Sequence, residues 1–229
     1  DSYFVNSHGL PDPDHVTTAR DLAILAQALI ARFPEHYGIY KEREYTYNDI
    51  RQYNRNTLLA EDPSVDGLKT GYTEEAGYGL VASAERRGMR LISAVLGTRS
   101  ATSRKNETRK LLNYGFRFFE TVEQFGPAHE LEQVRVWKGD RNEVAAGLLD
   151  ATVLTLPRGK KKVLATEVQV ENEVVAPLAV GDRVGLVKLT IDGESVFEAP
   201  LVALEPVEEG GFISRLWDML LLWIFSLFR

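Results

Sequence analysis

Two apolar runs joined by a short polar turn restrict the fold of this 229-residue chain more than any other feature of its sequence. Residues 78–84 and 90–96 are rich in aliphatic and small side chains, and the connecting segment 85–88 ends in glycine. Apolar runs of this length with a Gly-containing connection are typical of a β-hairpin. We therefore expect an antiparallel sheet that contains this hairpin.

Amphipathic helices are predicted on both sides of the hairpin. Thr18 is a suitable N-cap, and Asp21 three residues later favours the positive end of the helix dipole. Apolar residues recur at helical spacing up to residues 33–34, where Phe-Pro ends the run. A second helix is predicted over 102–119, with five inward-facing residues: Leu111, Leu112, Gly115, Phe116 and Phe119. With a short strand at 65–71, these elements predict an α+β fold in which helices cover the sheet.

The pattern changes near residues 124–127, beyond which short alternating runs are separated by turn residues. Regularly spaced short strands are typical of a compact all-β module. Five strands are predicted there, over 134–137, 153–156, 166–170, 183–189 and 196–204. We therefore expect three parts, with bounds at 1–122, 123–207 and 208–229.

Residues 212–229 form a dense apolar tail. On a helical projection its polar residues share one sector of about 120°; they are Ser214, Arg215, Asp218, Ser226 and Arg229. A membrane-spanning helix needs about twenty predominantly apolar residues, and this tail is shorter and carries charges. We therefore favour an amphipathic helix lying in the membrane interface, behind a flexible tether at 205–211. A helix packed on the core and a dimerisation helix are the alternatives.

Composition excludes several classes of site and partner. A net charge of −6 argues against nucleic acid as a partner, because binding to it depends on lysine and arginine neutralising phosphates. The absence of cysteine excludes disulfides, thiolate zinc sites and cysteine nucleophiles. The four histidines show no metal-binding spacing, so no metal site is expected. The one basic run, 158–162, is interpreted as a solvated turn, with contact to anionic lipid headgroups as the alternative.

The strongest local motif is Lys69-Thr70-Gly71, at the end of the predicted strand and just before the hairpin. Lysine offers a fixed positive charge for a substrate carboxylate, and threonine adds a hydroxyl donor. Glycine lets an extended peptide lie flat against the strand. The motif therefore indicates a binding edge for a carboxylate-terminated peptide. An ordinary solvated lysine before a glycine turn is the alternative interpretation.

The sequence around this motif resembles the serine-type D-alanyl-D-alanine carboxypeptidases, the low-molecular-mass penicillin-binding proteins of peptidase family S11. The resemblance rests on six stretches, 4–11, 15–23, 54–56, 65–73, 76–78 and 114–120, and on the β-rich module and apolar tail that follow. It implies the C-terminal part of a penicillin-binding, β-lactamase-like peptidase domain, followed by an all-β domain and a C-terminal amphipathic helix.

The resemblance also implies roles for individual residues. Lys69 resembles the lysine that binds the substrate carboxylate, and Thr70 a supporting donor. The backbone N–H of Tyr72 is similar in position to one of two oxyanion-hole donors. Arg104 and Arg55 resemble basic residues near the site of the terminal carboxylate. Tyr72 departs from the small or imidazole residue expected there, which alters the shape of the pocket if only its backbone acts.

One part of the family pattern is missing. The family attacks with the serine of Ser-x-x-Lys and also uses Ser-x-Asn, and none of the ten serines in this sequence belongs to either motif. A site without nucleophile and base can bind and orient a substrate but cannot attack it. We therefore expect the chain to lack the N-terminal part of a longer protein and to be inactive alone.

The expected parent is a serine carboxypeptidase that removes the terminal D-alanine of peptidoglycan stem pentapeptides through an acyl-enzyme. The family implies no metal or organic cofactor, acylation by β-lactam antibiotics, and a peripheral location on the periplasmic face of the inner membrane. Residues 212–229 would contact membrane lipid, and a homodimer is left open. The alternative function is a membrane-tethered, non-catalytic peptidoglycan-binding or scaffold protein. A soluble β-lactamase ranks last, because it would lack the β-rich module and the tail.

Overall fold

The structure is a computed structural model that describes residues 1–212 and 215–220. It divides into two compact units, Asp1–Glu120 and Thr121–Arg229. The first unit combines helices with antiparallel sheets, and the described part of the second is built mainly of strands. The α+β fold class and the all-β character of the second region are therefore confirmed.

The first unit begins with a capped helix. The Thr18 side chain accepts a hydrogen bond from the Asp21 backbone N–H at 3.0 Å, as the capping pattern predicts. Its helices and strands are, in chain order, α1 (Ala19–Arg32), α2 (Pro34–Tyr37), β1 (Glu44–Tyr47), β2 (Ile50–Tyr53), α3 (Leu58–Glu61), β3 (Val65–Thr73), β4 (Gly77–Arg86), β5 (Met89–Thr98) and α4 (Ala101–Phe118). The small β1–β2 hairpin was not predicted from the sequence.

The predicted hairpin is formed by β4 and β5. Glu85 lies opposite Arg90, and the connection turns at Arg87 and Gly88, which both have positive φ. Strand β3 pairs with the other side of β4, so the sheet order is β3-β4-β5. The strands extend beyond their predicted ends because ladder hydrogen bonds continue past the apolar runs.

Helix α4 packs on this sheet through residues spaced four apart. Arg104, Thr108 and Leu112 are buried, and a Cβ on Gly115 would lie 2.5 Å from Leu91 Cδ1. The absence of a side chain at Gly115 therefore sets how closely helix and sheet approach. The prediction that Leu111 faces inward is wrong. It lies beside the buried stripe and is 50% exposed.

The second unit contains a five-stranded antiparallel sheet with order β10-β11-β12-β8-β7, and β6 pairs with β9. Its strands are β6 (Phe119–Phe125), β7 (His129–Arg135), β8 (Glu143–Leu148), β9 (Thr152–Pro157), β10 (Leu164–Val170), β11 (Arg183–Ile191) and β12 (Glu194–Ala203). Buried valines and leucines form the core; they include Val134, Val144, Val184, Val187 and Leu201. The sequence did not predict β8, whose central Ala-Ala-Gly lacks the usual strand-forming residues.

The segment before the tail is bonded to the second unit. Val207 and Leu178 exchange backbone hydrogen bonds of 2.9 Å, and the Gly210 N–H donates to the Lys138 carbonyl at 2.8 Å. The prediction of a flexible tether at 205–211 is therefore wrong. Residues 215–220 are helical, whereas 213–214 and 221–229 of the predicted amphipathic helix lie outside the described residues. In the described part of the chain, no helix has the length and apolarity that a bilayer crossing requires.

Candidate functional site

Strand β3 carries Lys69-Thr70-Gly71 on the edge of its sheet. Only β4 pairs with β3, and among the described residues no strand covers its other side. Thr70 lies opposite Leu80, and Gly71 lies opposite Gly79. An open strand edge presents backbone N–H and C=O groups that can pair with an extended peptide. The tripeptide therefore lies where a peptide ligand can be added to the sheet.

Lys69 is the exposed cation of this edge. Its Nζ donates a hydrogen bond of 2.5 Å to the Thr70 carbonyl, which keeps the ammonium group beside the strand. Within the described part of the chain, no carboxylate forms an ion pair with Lys69. Its charge is therefore not neutralised locally, and it can attract an anionic group.

Arg104 connects the end of β3 to two neighbouring segments. Its guanidinium donates to the carbonyl oxygens of Gly71 at 3.2 Å, Gly79 at 3.4 Å and Arg55 at 3.3 Å. The residue is only 7% exposed, and this burial lowers the pKa of the Arg104 guanidinium. An arginine nevertheless stays protonated at neutral pH. Arg104 therefore places a buried positive charge beneath the strand and holds the Gly71 carbonyl in position.

Tyr72 adds an aromatic surface next to the tripeptide. Its ring is 55% exposed and packs on the Tyr78 ring, with 4.2 Å between the centroids. The Arg104 guanidinium lies 5.6 Å from the Tyr78 centroid on the same region of the sheet. The side chain that departs from the family expectation therefore stands at the surface and shapes one wall of the site.

The loop before α3 brings Arg55 and Asn56 to β3. Asn56 is 2% exposed, and its Nδ2 donates to the Gly67 carbonyl at 2.9 Å. Its Oδ1 is buried and has no hydrogen-bond partner among the described residues. Arg55 is exposed and lines a cavity of about 170 Å³ together with Arg104 and Lys105. Lys105 is paired with Glu61 at 2.7 Å, so the positive potential of this cavity comes mainly from Arg55 and Arg104.

A partly buried polar network fixes the start of β3. The Tyr37 hydroxyl donates to Asp66 Oδ1 at 2.9 Å, and Arg90 Nη1 donates to Asp66 Oδ2 at 2.7 Å. Arg90 Nη1 also donates to the Ser83 hydroxyl at 2.6 Å. Burial raises the pKa of Tyr37 to about 12, and the hydrogen bond to Asp66 acts in the same direction. Tyr37 is therefore a neutral donor at physiological pH.

The structure brings all the predicted site residues into one region. Lys69, Thr70, Gly71 and Tyr72 follow each other along β3, while Arg104 comes from α4 and Arg55 from the adjoining loop. Sequence reasoning missed Asn56 and the Tyr37–Asp66–Arg90 network as parts of this region. Asn56 and Asp66 both lie in the stretches that carry the family resemblance, which is the one signal that could have found them. Among the described residues, no group of three or more His, Asp or Glu side chains could hold a metal ion.

Family models match both units of the chain. A model for D-alanyl-D-alanine carboxypeptidase matches residues 1–100, and a model for the C-terminal domain of penicillin-binding protein 5 matches residues 119–209. The chain belongs to the D-alanyl-D-alanine carboxypeptidase family. This confirms the resemblance found in the sequence.

Curated members of this carboxypeptidase family match nearly the whole chain. DacC of Escherichia coli (strain K12) is 48% identical over 96% of the chain, and DacA of Haemophilus influenzae is 40% identical over 98%. The chain spans 55% of the length of DacC and 58% of that DacA. It therefore corresponds to little more than half of each of these carboxypeptidases.

Solved structures of the family agree with the fold. Penicillin-binding protein 5 from Haemophilus influenzae is 40% identical, with a TM-score of 0.84, over 91% of this chain and 61% of that chain. Penicillin-binding protein 6B from Escherichia coli is 35% identical, with a TM-score of 0.62, over 86% of this chain and 53% of that chain. The fold of this chain is therefore that of the corresponding part of known penicillin-binding proteins.

Proposed function

We propose that this chain supplies the substrate-carboxylate side of the active site in a serine-type D-alanyl-D-alanine carboxypeptidase. The whole enzyme would remove the terminal D-alanine of peptidoglycan stem pentapeptides through an acyl-enzyme. The observation that carries the proposal is the open edge of β3, where Lys69-Thr70-Gly71 is accessible in a chain of this family. A peptide that ends in a carboxylate can pair with this edge and meet the Lys69 ammonium.

The residues of β3 have complementary tasks in this proposal. Lys69 attracts the terminal carboxylate, and the Thr70 hydroxyl donates a hydrogen bond to it. Gly71 leaves room for the substrate backbone, since a Cβ there would contact nothing within 4 Å in this structure. The Tyr72 backbone N–H stabilises the oxyanion that develops when the acyl carbon is attacked. These tasks position the substrate and stabilise charge, and none of them is nucleophilic.

The two arginines support the same carboxylate in different ways. Arg55 is exposed and lines the 170 Å³ cavity, so its side chain can move toward an anion. Arg104 is buried and bonded to three carbonyl oxygens, so it acts mainly through its charge and by holding Gly71. Their combined positive potential would raise the local concentration of an anionic peptide end.

We further propose that the 229-residue chain is inactive alone. None of its ten serines belongs to Ser-x-x-Lys or Ser-x-Asn, so it holds no candidate for the family's nucleophile and base. A β-lactam antibiotic acylates the same nucleophile as the peptide substrate in this family, so the isolated chain would not become labelled by penicillin. The catalytic chemistry requires no metal or organic cofactor.

The proposal places the enzyme on the periplasmic face of the inner membrane. Residues 1–122 form its peptidase part, 123–207 its β-rich domain and 208–229 its anchor. Support for the anchor comes from exposed apolar residues of the described helix, which include Leu216, Trp217 and Met219. A homodimer would also cover such a surface, and the anchor experiment below separates the two.

Penicillin labelling tests the enzymatic proposal. Membranes of the source cells are treated with fluorescent penicillin and probed with an antibody raised to this chain. A labelled band well above 25.7 kDa that the antibody also detects supports it. An antibody band at 25.7 kDa without label contradicts it and favours the non-catalytic scaffold protein.

Substitution of Lys69 tests the proposed binding edge in the intact enzyme. We expect Lys69→Ala to lower kcat/KM for D-alanine release by roughly 10- to 150-fold, the range that corresponds to losing a charge-assisted hydrogen bond. The matched control is Lys110→Ala, an exposed lysine on α4 that is paired with Glu107. Equal kinetics for the two variants would remove Lys69 from the site.

A further inference from the structure

Asp218 attaches the tail helix to the second unit through its polar side. The carboxylate is buried, with the residue 9% exposed, and Oδ2 accepts a hydrogen bond from the Lys138 backbone N–H at 2.6 Å. Lys138 lies in the turn between β7 and β8 and has a φ of 60°. A carboxylate that accepts from a backbone N–H makes a short, charge-assisted bond. The tail helix therefore has a defined contact with this turn.

The chain that leads into the helix is bonded to the same turn. The Gly210 N–H donates to the Lys138 carbonyl at 2.8 Å, and Gly139 pairs with Glu209 as a β-bridge. The Arg215 backbone N–H donates to Gly211 at 3.0 Å at the start of the helix. The helix is consequently held at both its entry and its second turn.

This attachment is the reverse of ordinary helix packing. An amphipathic helix on a protein core buries its apolar side and exposes its charges. Here Asp218 is buried, while five large apolar residues are 46–81% exposed: Phe212, Leu216, Trp217, Met219 and Leu220. Apolar side chains that stand together at a surface mark a contact with something outside the unit.

The chemistry of this apolar surface fits lipid. The described helix combines tryptophan with leucine and methionine on its outer side, a composition found in helices that lie in the membrane interface. The Arg215 guanidinium is paired with Glu209 at 2.6 Å, and Arg141 is paired with Glu205 at 2.7 Å. Both arginines beside the helix are therefore paired with carboxylates rather than free to bind anionic headgroups, so apolar insertion dominates the contact.

We propose that Asp218 locks the membrane helix onto the Lys138 turn and thereby holds the β-rich unit in one orientation on the bilayer. This inference rests on the proposed membrane association and adds how the unit is oriented there. The turn end of the five-stranded sheet faces the lipid, and the opposite end points away.

Strand register identifies the two ends. Strand β8 begins beside the turn at Glu143, and β12 ends on the same side because it runs antiparallel to β8. Strand β11 runs antiparallel to β12, so β11 ends at the opposite end of the sheet. Strand β10 is antiparallel to β11 and therefore begins at that opposite end, next to Lys160–Val163. The ten residues of β12 span roughly 30 Å at about 3.4 Å per residue. The basic run 158–162 therefore lies far from the bilayer and does not contact lipid headgroups.

Energy transfer to the bilayer tests this orientation. The chain contains no cysteine, so Asn142→Cys near the turn and Lys161→Cys at the far end each give one labelling site. The labelled full chain is bound to phosphatidylethanolamine–phosphatidylglycerol vesicles that carry a headgroup acceptor. We expect strong transfer from position 142 and weak transfer from position 161. In an Asp218→Ala background, the difference in transfer efficiency between the two labels should shrink by at least half. Asp218→Asn keeps an acceptor for the Lys138 N–H, so the difference should be retained in that background.

Hydrogen exchange of the Lys138 amide provides a second readout that needs no vesicles. We expect Asp218→Ala to raise its exchange rate by about tenfold or more, with Asp218→Asn close to the unsubstituted chain. Equal transfer from the two labels, or an unchanged exchange rate in Asp218→Ala, overturns the locked orientation while leaving membrane binding intact. Failure of the unsubstituted chain to sediment with vesicles overturns the membrane proposal itself. A stable dimer that does not take up lipid assigns the apolar surface to a second copy and also contradicts the proposal.

Discussion

Replacing Gly67 by alanine tests how the start of β3 is held. A Cβ at this position would overlap the Tyr37 hydroxyl oxygen and lie 3.1 Å from Tyr37 Cζ. The Tyr37 ring is 8% exposed and donates to Asp66 Oδ1 at 2.9 Å, so it cannot withdraw without losing that bond. Overpacking a core typically costs about 1–3 kcal/mol, and a hydrogen bond to a charged group contributes about 1.5–3 kcal/mol. We expect Gly67→Ala to lower the free energy of unfolding of the first unit by about 2–5 kcal/mol.

Tyr37→Phe separates the two contributions. This variant removes the hydroxyl oxygen and its bond to Asp66, and it should cost about 1.5–3 kcal/mol alone. In the double variant the hydrogen bond to Asp66 is already absent, and the hydroxyl oxygen that the new Cβ would overlap has been removed. Gly67→Ala therefore adds only about 1 kcal/mol to the loss caused by Tyr37→Phe. The free-energy losses of the two single variants should therefore sum to about 1–4 kcal/mol more than the loss of the double variant.

Hydrogen exchange of the β3 and β4 amides is the suitable assay. All three tryptophans of the sequence, at positions 137, 217 and 223, come after the end of the first unit at Glu120, so tryptophan fluorescence does not report on this sheet. The matched control is Gly71→Ala on the same strand, where a Cβ contacts nothing within 4 Å and stability should change by less than about 1 kcal/mol. If the free-energy losses of Gly67→Ala and Tyr37→Phe sum to the loss of the double variant within about 0.5 kcal/mol, Tyr37 does not limit the space at Gly67.

Two further predictions concern pH and the second unit. Because the folded-state pKa of Tyr37 is raised to about 12 from 10.0, its contribution to stability is complete below pH 10 and is lost as the pH rises through 12. The difference in amide exchange between the unsubstituted chain and Tyr37→Phe should therefore shrink between pH 10 and 12, and a constant difference would contradict the shift. Gly147→Ala should destabilise the second unit by about 3 kcal/mol or more, because a Cβ there collides with the His129 backbone. Urea unfolding followed by tryptophan fluorescence measures this, with Gly159→Ala, in an open turn, as the less destabilised control.

Local patterns were enough to predict the elements whose residues carry a strong periodicity. The β4–β5 hairpin and the Thr18-capped helix were predictable because turn residues, caps and apolar spacing act within a few positions. Strand β8 was not, because its central Ala-Ala-Gly has little strand propensity and Gly147 is required by the close approach of the His129 backbone from the neighbouring strand. The orientation of Leu111 was missed for a related reason, since the sheet rather than the sequence selects which side of α4 is buried.

The residues of the candidate site also differ in whether the local sequence could predict them. Lys69-Thr70-Gly71 could be found because its three residues are adjacent and chemically distinctive. The groups that hold the strand come from distant positions: Tyr37 is 29 residues from Asp66, and Arg90 is 24 residues from it. Nothing in the local sequence of any one of them predicts the contact. Polar networks of this kind become visible only once the fold has brought their members together.

The arrangement of these contacts explains how β3 can have an open edge and still be held in place. A strand inside a sheet is positioned by neighbours on both sides, whereas β3 has a strand partner on one side only among the described residues. Its start is held by Tyr37 and by Asn56, which bonds the Gly67 carbonyl, and its later part is held by Arg104 at the Gly71 carbonyl. Lys69 and Thr70 lie between these anchors. Because hydrogen bonds that are shielded from water are stronger than exposed ones, these side chains can stabilise β3 in place of a second strand and leave its hydrogen-bonding edge available to a peptide.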